Sequence, residues 1–94
     1  MSTDSLSPVF SSFVLSLVRT VAVHLGDVED PVSGKKTEPN FVAAQQMIDI
    51  LGLLQEKTQG NLTEEEAKLL EQVLYELRLR FVDVKKDDKK IIVP

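Results

Sequence analysis

Residues 62–84, "LTEEEAKLLEQVLYELRLRFVDV", contain both a helix start and the apolar pattern that decides the fold. Thr63 and Glu66 have the spacing of a capping box, in which each side chain accepts a hydrogen bond from the other residue's backbone N–H. The glutamates of this first turn also favour the positive end of a helix. The apolar residues that follow are spaced four and three apart, as in a packed helical seam: Leu70, Leu74, Leu77, Phe81 and Val84. The segment therefore predicts a helix with one buried side.

A second helix is predicted to begin around Pro39 to Phe41 and to run to about Thr58, before Gly60 stops it. Its apolar residues recur at helical spacing along one side: Ala44, Met47, Ile48, Leu51 and Leu54. Because the link "QGNL" to the next helix is so short, the two helices should form an antiparallel hairpin.

The most apolar segment is "VFSSFVLSLVRTVAVHLG", residues 9–26, which predicts a further helix. Ser7 and Pro8 are a helix-start signal, and Gly26 can close the helix near Leu25. On a helical wheel its apolar residues cover an arc of roughly 200°, wider than the stripe of about 100° that a surface helix needs. We expect this helix to lie in the groove of the hairpin. The polar segment "DVEDPVSGKKTEPN", residues 27–40, reads as a loop.

The predicted fold class is therefore all-α, with three main helices in a single domain that spans residues 1–94. Residues 1–6 and 85–94 are expected to be flexible or peripheral tails. No strand pattern is present, although "KKIIVP", residues 89–94, could form a short extended piece.

Composition and charge disfavour several classes of function and location. A formal net charge of −4 disfavours a nucleic-acid partner, because phosphate binding requires clustered Lys and Arg, and the lysines near the C-terminus are interrupted by Asp87 and Asp88. With no cysteine and no secretory leader, we expect a cytoplasmic protein. A membrane span is disfavoured because Arg19 and several hydroxyl groups lie within the apolar segment.

Apolar residues outside the predicted core indicate an interaction surface. Tyr75, Leu79 and Val82 project from the last helix on the side opposite its seam, at helical spacing. Leu53 and Val23 are two further apolar candidates for this surface, outside the row on the last helix. Since a monomer usually avoids such a patch, we expect a homo-oligomer, most simply a twofold dimer to which the first helix also contributes. The alternative is a different protein partner docking on the same residues.

No catalytic or cofactor-binding residues are predicted, so the protein is interpreted as a non-enzyme. Serine residues near the only histidine, His24, lie in ordinary helical sequence without the strained turn of a nucleophile. His24, Asp27 and Asp30 are too generically spaced to predict a metal site. A small-ligand or metal-binding regulator built on residues 24–30 is nevertheless the alternative hypothesis of function.

Several stretches together resemble a family of small bacterial proteins classed as a domain of unknown function. They are "FSSFVLSLVRTVAVHLG" at 10–26, "DPVSG" at 30–34 and "AAQQMIDILGLLQEKTQGNLTEEEAKLLEQVLYELRLRFV" at 43–82. The resemblance implies a compact, all-helical cytoplasmic protein and supplies no activity or site residues. The leading hypothesis is thus an uncharacterised, non-enzymatic assembly or adaptor module that acts through apolar helix faces.

Overall fold

The computed structural model describes the backbone of residues 8–92 and the side chains of residues 8–87. It contains three helices in chain order: α1 (Pro8–His24), α2 (Phe41–Lys57) and α3 (Glu64–Ile92). The described part of the chain contains no strand. α2 and α3 form the hairpin, and α1 packs against both, so the predicted all-α architecture is confirmed.

The predicted capping box begins α3. The backbone N–H of Thr63 donates to Oε1 of Glu66 at 2.9 Å, and the backbone N–H of Glu66 donates to Oγ1 of Thr63 at 3.1 Å. The start of α2 is also as predicted, with a cap that the sequence pattern did not single out. Oδ1 of Asn40 accepts from the N–H of Ala43 at 3.0 Å. Side chains therefore satisfy backbone donors at both helix starts.

α1 begins at the predicted Pro8 and ends in a Schellman motif around Gly26, while Ser7 lies outside the described residues. Gly26 has φ +78°, in the left-handed region. The Gly26 N–H donates to the carbonyl of Val23 at 3.0 Å, and the Asp27 N–H donates to the carbonyl of Ala22 at 2.9 Å. This pair of hydrogen bonds satisfies the last carbonyls of the helix and turns the chain back.

The loop between α1 and α2 folds against the end of α1. The Asn40 N–H donates to the carbonyl of His24 at 2.7 Å, and the Thr37 hydroxyl donates to the carbonyl of Val23 at 3.1 Å. Arg80 on α3 holds the start of the loop, because its Nε and Nη2 donate to the two carboxylate oxygens of Asp27 at 2.8 and 2.6 Å. This two-point contact raises the pKa of Arg80, through the hydrogen bond first and charge attraction second.

One hydrophobic core joins the three helices. Its least exposed large side chains are Val14, Val21, Ile48, Leu51, Leu70 and Leu74. At one end of the hairpin the Phe41 and Phe81 rings meet edge to face, with centroids 5.6 Å apart. Val84, the last residue of the predicted seam, belongs to this core. The seam is therefore the buried side of α3, as predicted.

Beyond Val84, α3 continues as a helix to Ile92. The segment 89–92 is thus helical and not the extended piece that "KKIIVP" allowed. The expectation that residues 85–94 are peripheral or flexible stays a prediction, and residues 1–6, 93 and 94 lie outside the described part of the chain.

Candidate assembly surface

Among residues 64–87 of α3, three large apolar side chains remain exposed to solvent, and we call them the α3 stripe: Tyr75, Leu79 and Val82. Their exposed fractions are 64%, 50% and 49%. They follow one another at intervals of four and three residues, so they lie along one side of the helix. The residues singled out from the sequence as an interaction surface are therefore available for contact with another molecule.

The α3 stripe lies on the opposite side of α3 from α1. Arg80, which contacts the loop after α1, is separated from the three stripe residues by about 100° to 160° around the helix. The seam residues Leu70, Leu74 and Leu77 point into the core. Neither α1 nor its loop covers the stripe, because both pack on the other side of α3.

Two separate clefts lie between α2 and α3. One, of about 450 Å³, lies near the hairpin turn, and its polar lining residues include Glu56 and Glu71. At the edge of this cleft Gly52 of α2 lies against Arg78 of α3, and a methyl group at Gly52 would be 3.5 Å from Nη2 of that arginine. The other cleft, of about 350 Å³, is lined by residues that include Phe41 and Phe81.

The two outlying candidates occupy different surfaces. Leu53 is 52% exposed on α2, about 100° around the helix from Gly52. Val23 is half-buried on α1 and lines a separate shallow cleft with Arg19 and Pro31. Leu53 is therefore on the helix that pairs with α3 in the hairpin, whereas Val23 lies with α1 on the far side of the molecule.

The wide apolar arc of α1 is only partly covered by the hairpin. Val14 and Val21 are fully buried between the other helices, whereas Phe13 and Leu15, on the two flanks of the arc, remain about half exposed. The sequence pattern showed the width of this arc but not how much of it the hairpin would cover. The result is that α1 carries additional exposed apolar surface.

The region from His24 to Asp30 shows no arrangement typical of a metal site. Asp27 is held by Arg80, and Oδ1 of Asp30 accepts from the Val32 N–H of its own loop at 2.8 Å. Among the described residues, no group of three His, Asp or Glu side chains is placed to hold a metal ion. The alternative hypothesis of a ligand site here thus gains no support, and a metal titration of the purified protein would test it.

Within the described residues, none of the helices combines the length and the hydrophobicity needed to cross a bilayer.

The fold and the exposed surface define a small, all-helical, three-helix domain. The chain belongs to the family described as Domain of unknown function (DUF1844), which matches residues 7–83. No curated protein and no solved structure matches it. The matched range includes the whole α3 stripe and ends before the lysines that follow.

Proposed function

We propose that this protein is a non-enzymatic, cytoplasmic assembly or adaptor module that forms a twofold homodimer through the α3 stripe. The observation that carries the proposal is the exposure of Tyr75, Leu79 and Val82 on one side of a helix whose other side already packs into the core. The second copy is the simplest occupant, because a twofold axis brings the same apolar side chains together from both molecules.

The magnitude of the apolar contact sets the expected affinity. Burying a whole aliphatic or aromatic side chain contributes about 1.5–3 kcal/mol, so the exposed fractions of the stripe amount to about 4 kcal/mol per copy. Two copies contribute about 8 kcal/mol, whereas association itself costs about 4 kcal/mol or more. The stripe alone supports a weak dimer, and contacts made by residues around it must add to a tighter one. We therefore expect a dimer that dissociates on dilution.

The test is sedimentation velocity over a range of protein concentrations. The unaltered chain should show a concentration-dependent monomer–dimer equilibrium. Leu79→Lys should weaken the dimer by about 2 kcal/mol or more, roughly 30-fold in Kd, because each copy loses an apolar contact and places a charge in the interface.

Leu15→Lys provides a matched control. Leu15 lies on α1, has the same residue type and is 53% exposed, close to the value for Leu79. The proposed interface leaves out α1, which the sequence pattern had included, because α1 packs on the other side of α3 from the stripe. Substitution of Leu15 should therefore leave the Kd unchanged, and circular dichroism should show that both variants keep their helices. A chain that stays monomeric at millimolar concentration, or a dimer lost with Leu15→Lys and kept with Leu79→Lys, would overturn the proposal.

A further inference from the structure

Charge is unevenly distributed along α3. From Glu64 to Glu76 the sequence contains five glutamates and one lysine, whereas from Arg78 to Asp87 it contains four basic residues and two aspartates. The first half of the helix is therefore net negative and the second half net positive. The boundary between the two halves falls at Leu77.

The centre of this charge pattern nearly coincides with the centre of the α3 stripe. Leu79, the middle residue of the stripe, lies two positions after the charge boundary. Glu71 lies four residues before Tyr75 and Lys86 lies four residues after Val82, so both extend the stripe along the same side of the helix. Both side chains are exposed. The stripe therefore has an acid at one end and a base at the other.

We propose that the second copy docks antiparallel, with α3 against α3 and the twofold axis near Leu79. This inference rests on the proposed function, because it specifies the partner and its orientation on the same surface. Around that axis, Lys86 of each copy faces Glu71 of the other, and the net negative half of one helix lies along the net positive half of the other. A parallel arrangement would instead oppose Glu71 to Glu71 and Lys86 to Lys86, which is unfavourable.

Cysteine cross-linking can test the orientation cleanly, because the chain has no cysteine of its own. Single cysteines are introduced at Gln72, Leu79 and Lys86, which are seven residues apart on the side that carries the stripe. In the antiparallel dimer two copies of residue 72, or of residue 86, are separated by about 21 Å along the helix axis, whereas two copies of residue 79 face each other. A short bismaleimide should therefore link Leu79→Cys to itself with high yield.

The decisive measurement mixes the two variants whose cysteines flank Leu79. Gln72→Cys and Lys86→Cys should each give little cross-linked dimer alone, and their equimolar mixture should give at least tenfold more. Val32→Cys, at a loop position that is 94% exposed, measures random collision and should give only background. All three α3 positions are exposed, and circular dichroism checks that each variant is folded.

The outcomes separate this inference from the proposed function. Self-linking of all three α3 variants would indicate a parallel dimer, which overturns the antiparallel orientation and leaves the assembly proposal standing. Background yields at every position, with a monomer by sedimentation, would overturn both. A dimer by sedimentation without cross-links at these positions would place the interface on another surface, and would also overturn the antiparallel α3 contact.

Discussion

Gly26 should be the glycine least tolerant of substitution, and Gly26→Ala measures how strongly the loop is attached to α1. The residue has φ +78°, a conformation that an L side chain adopts at a cost of about 1–2 kcal/mol. In addition, a methyl group at this position would lie 2.6 Å from the carbonyl oxygen of Thr37. That distance is far below van der Waals contact, so the returning loop must move.

The cost of moving the loop follows from the hydrogen bonds that the loop makes with α1. Moving Thr37 weakens its hydroxyl bond to Val23 and disturbs the neighbouring bond from Asn40 to His24. Each such bond contributes about 1 kcal/mol, so we expect Gly26→Ala to destabilise the fold by about 3 kcal/mol in total. For a chain of this length, 1 kcal/mol corresponds to about 4–8 °C in Tm, and the expected decrease is roughly 12–24 °C.

Gly34→Ala is the matched control. Gly34 has φ +73°, and a methyl group there would meet nothing within 4 Å. It should therefore show only the backbone effect, about 1–2 kcal/mol. Urea unfolding followed by circular dichroism gives both free energies of unfolding. Equal destabilisation by the two alanines would refute the reasoning, because it would mean that the contact of the loop with α1 contributes nothing to stability.

Two other experiments test the packing around α3. Gly52→Ala should raise the free energy of unfolding in urea by about 0.5–1 kcal/mol, because alanine favours the helix and the new methyl group would lie at ordinary contact distance from Arg78. A destabilised variant would contradict this expectation, because it would mean that the methyl group clashes with Arg78. In a double-mutant cycle, Asp27→Asn and Arg80→Gln should show a coupling of about 1 kcal/mol, because the two-point geometry is favourable but largely exposed. Additive effects of the two substitutions would show that this ion pair does not stabilise the loop.

Local sequence signals were sufficient to predict the three helices and their starts, but not that α3 continues beyond Val84 to Ile92. The capping box at Thr63, Pro8 at the first helical position and Gly26 after the last helical turn each act within one turn of the chain. Their positions in the structure agree with the prediction within about one residue. The seam on α3 was equally predictable, because its heptad spacing places one row of apolar residues on one side of the helix whatever it packs against.

Contacts between distant residues could not be predicted in this way. Arg80 and Asp27 are 53 positions apart, and no local pattern indicates that they meet. The loop carries ordinary turn residues, so its close attachment to α1 depends on how α1 and α2 are placed. For the candidate site, the sequence showed which residues are apolar and on which side of α3 they lie. It could not show that Val23 and the α3 stripe occupy different surfaces, because that depends on the packing of three helices.

The geometry of a three-helix domain explains why the α3 stripe stays exposed whatever the details of packing. Each helix in such a domain packs against the other two with the side that faces the core. It can therefore bury only one arc of its surface, centred on the direction of the core. On α3 that direction is set by Leu70, Leu74 and Leu77, and the stripe lies roughly 150° away around the helix. Rotating α3 to cover Leu79 would expose the seam, which contains the more buried and more numerous apolar side chains. A helix from outside this domain could cover the stripe without exposing the seam, and a second copy of the chain, laid antiparallel as proposed, would bring one whose charges then run in the opposite direction.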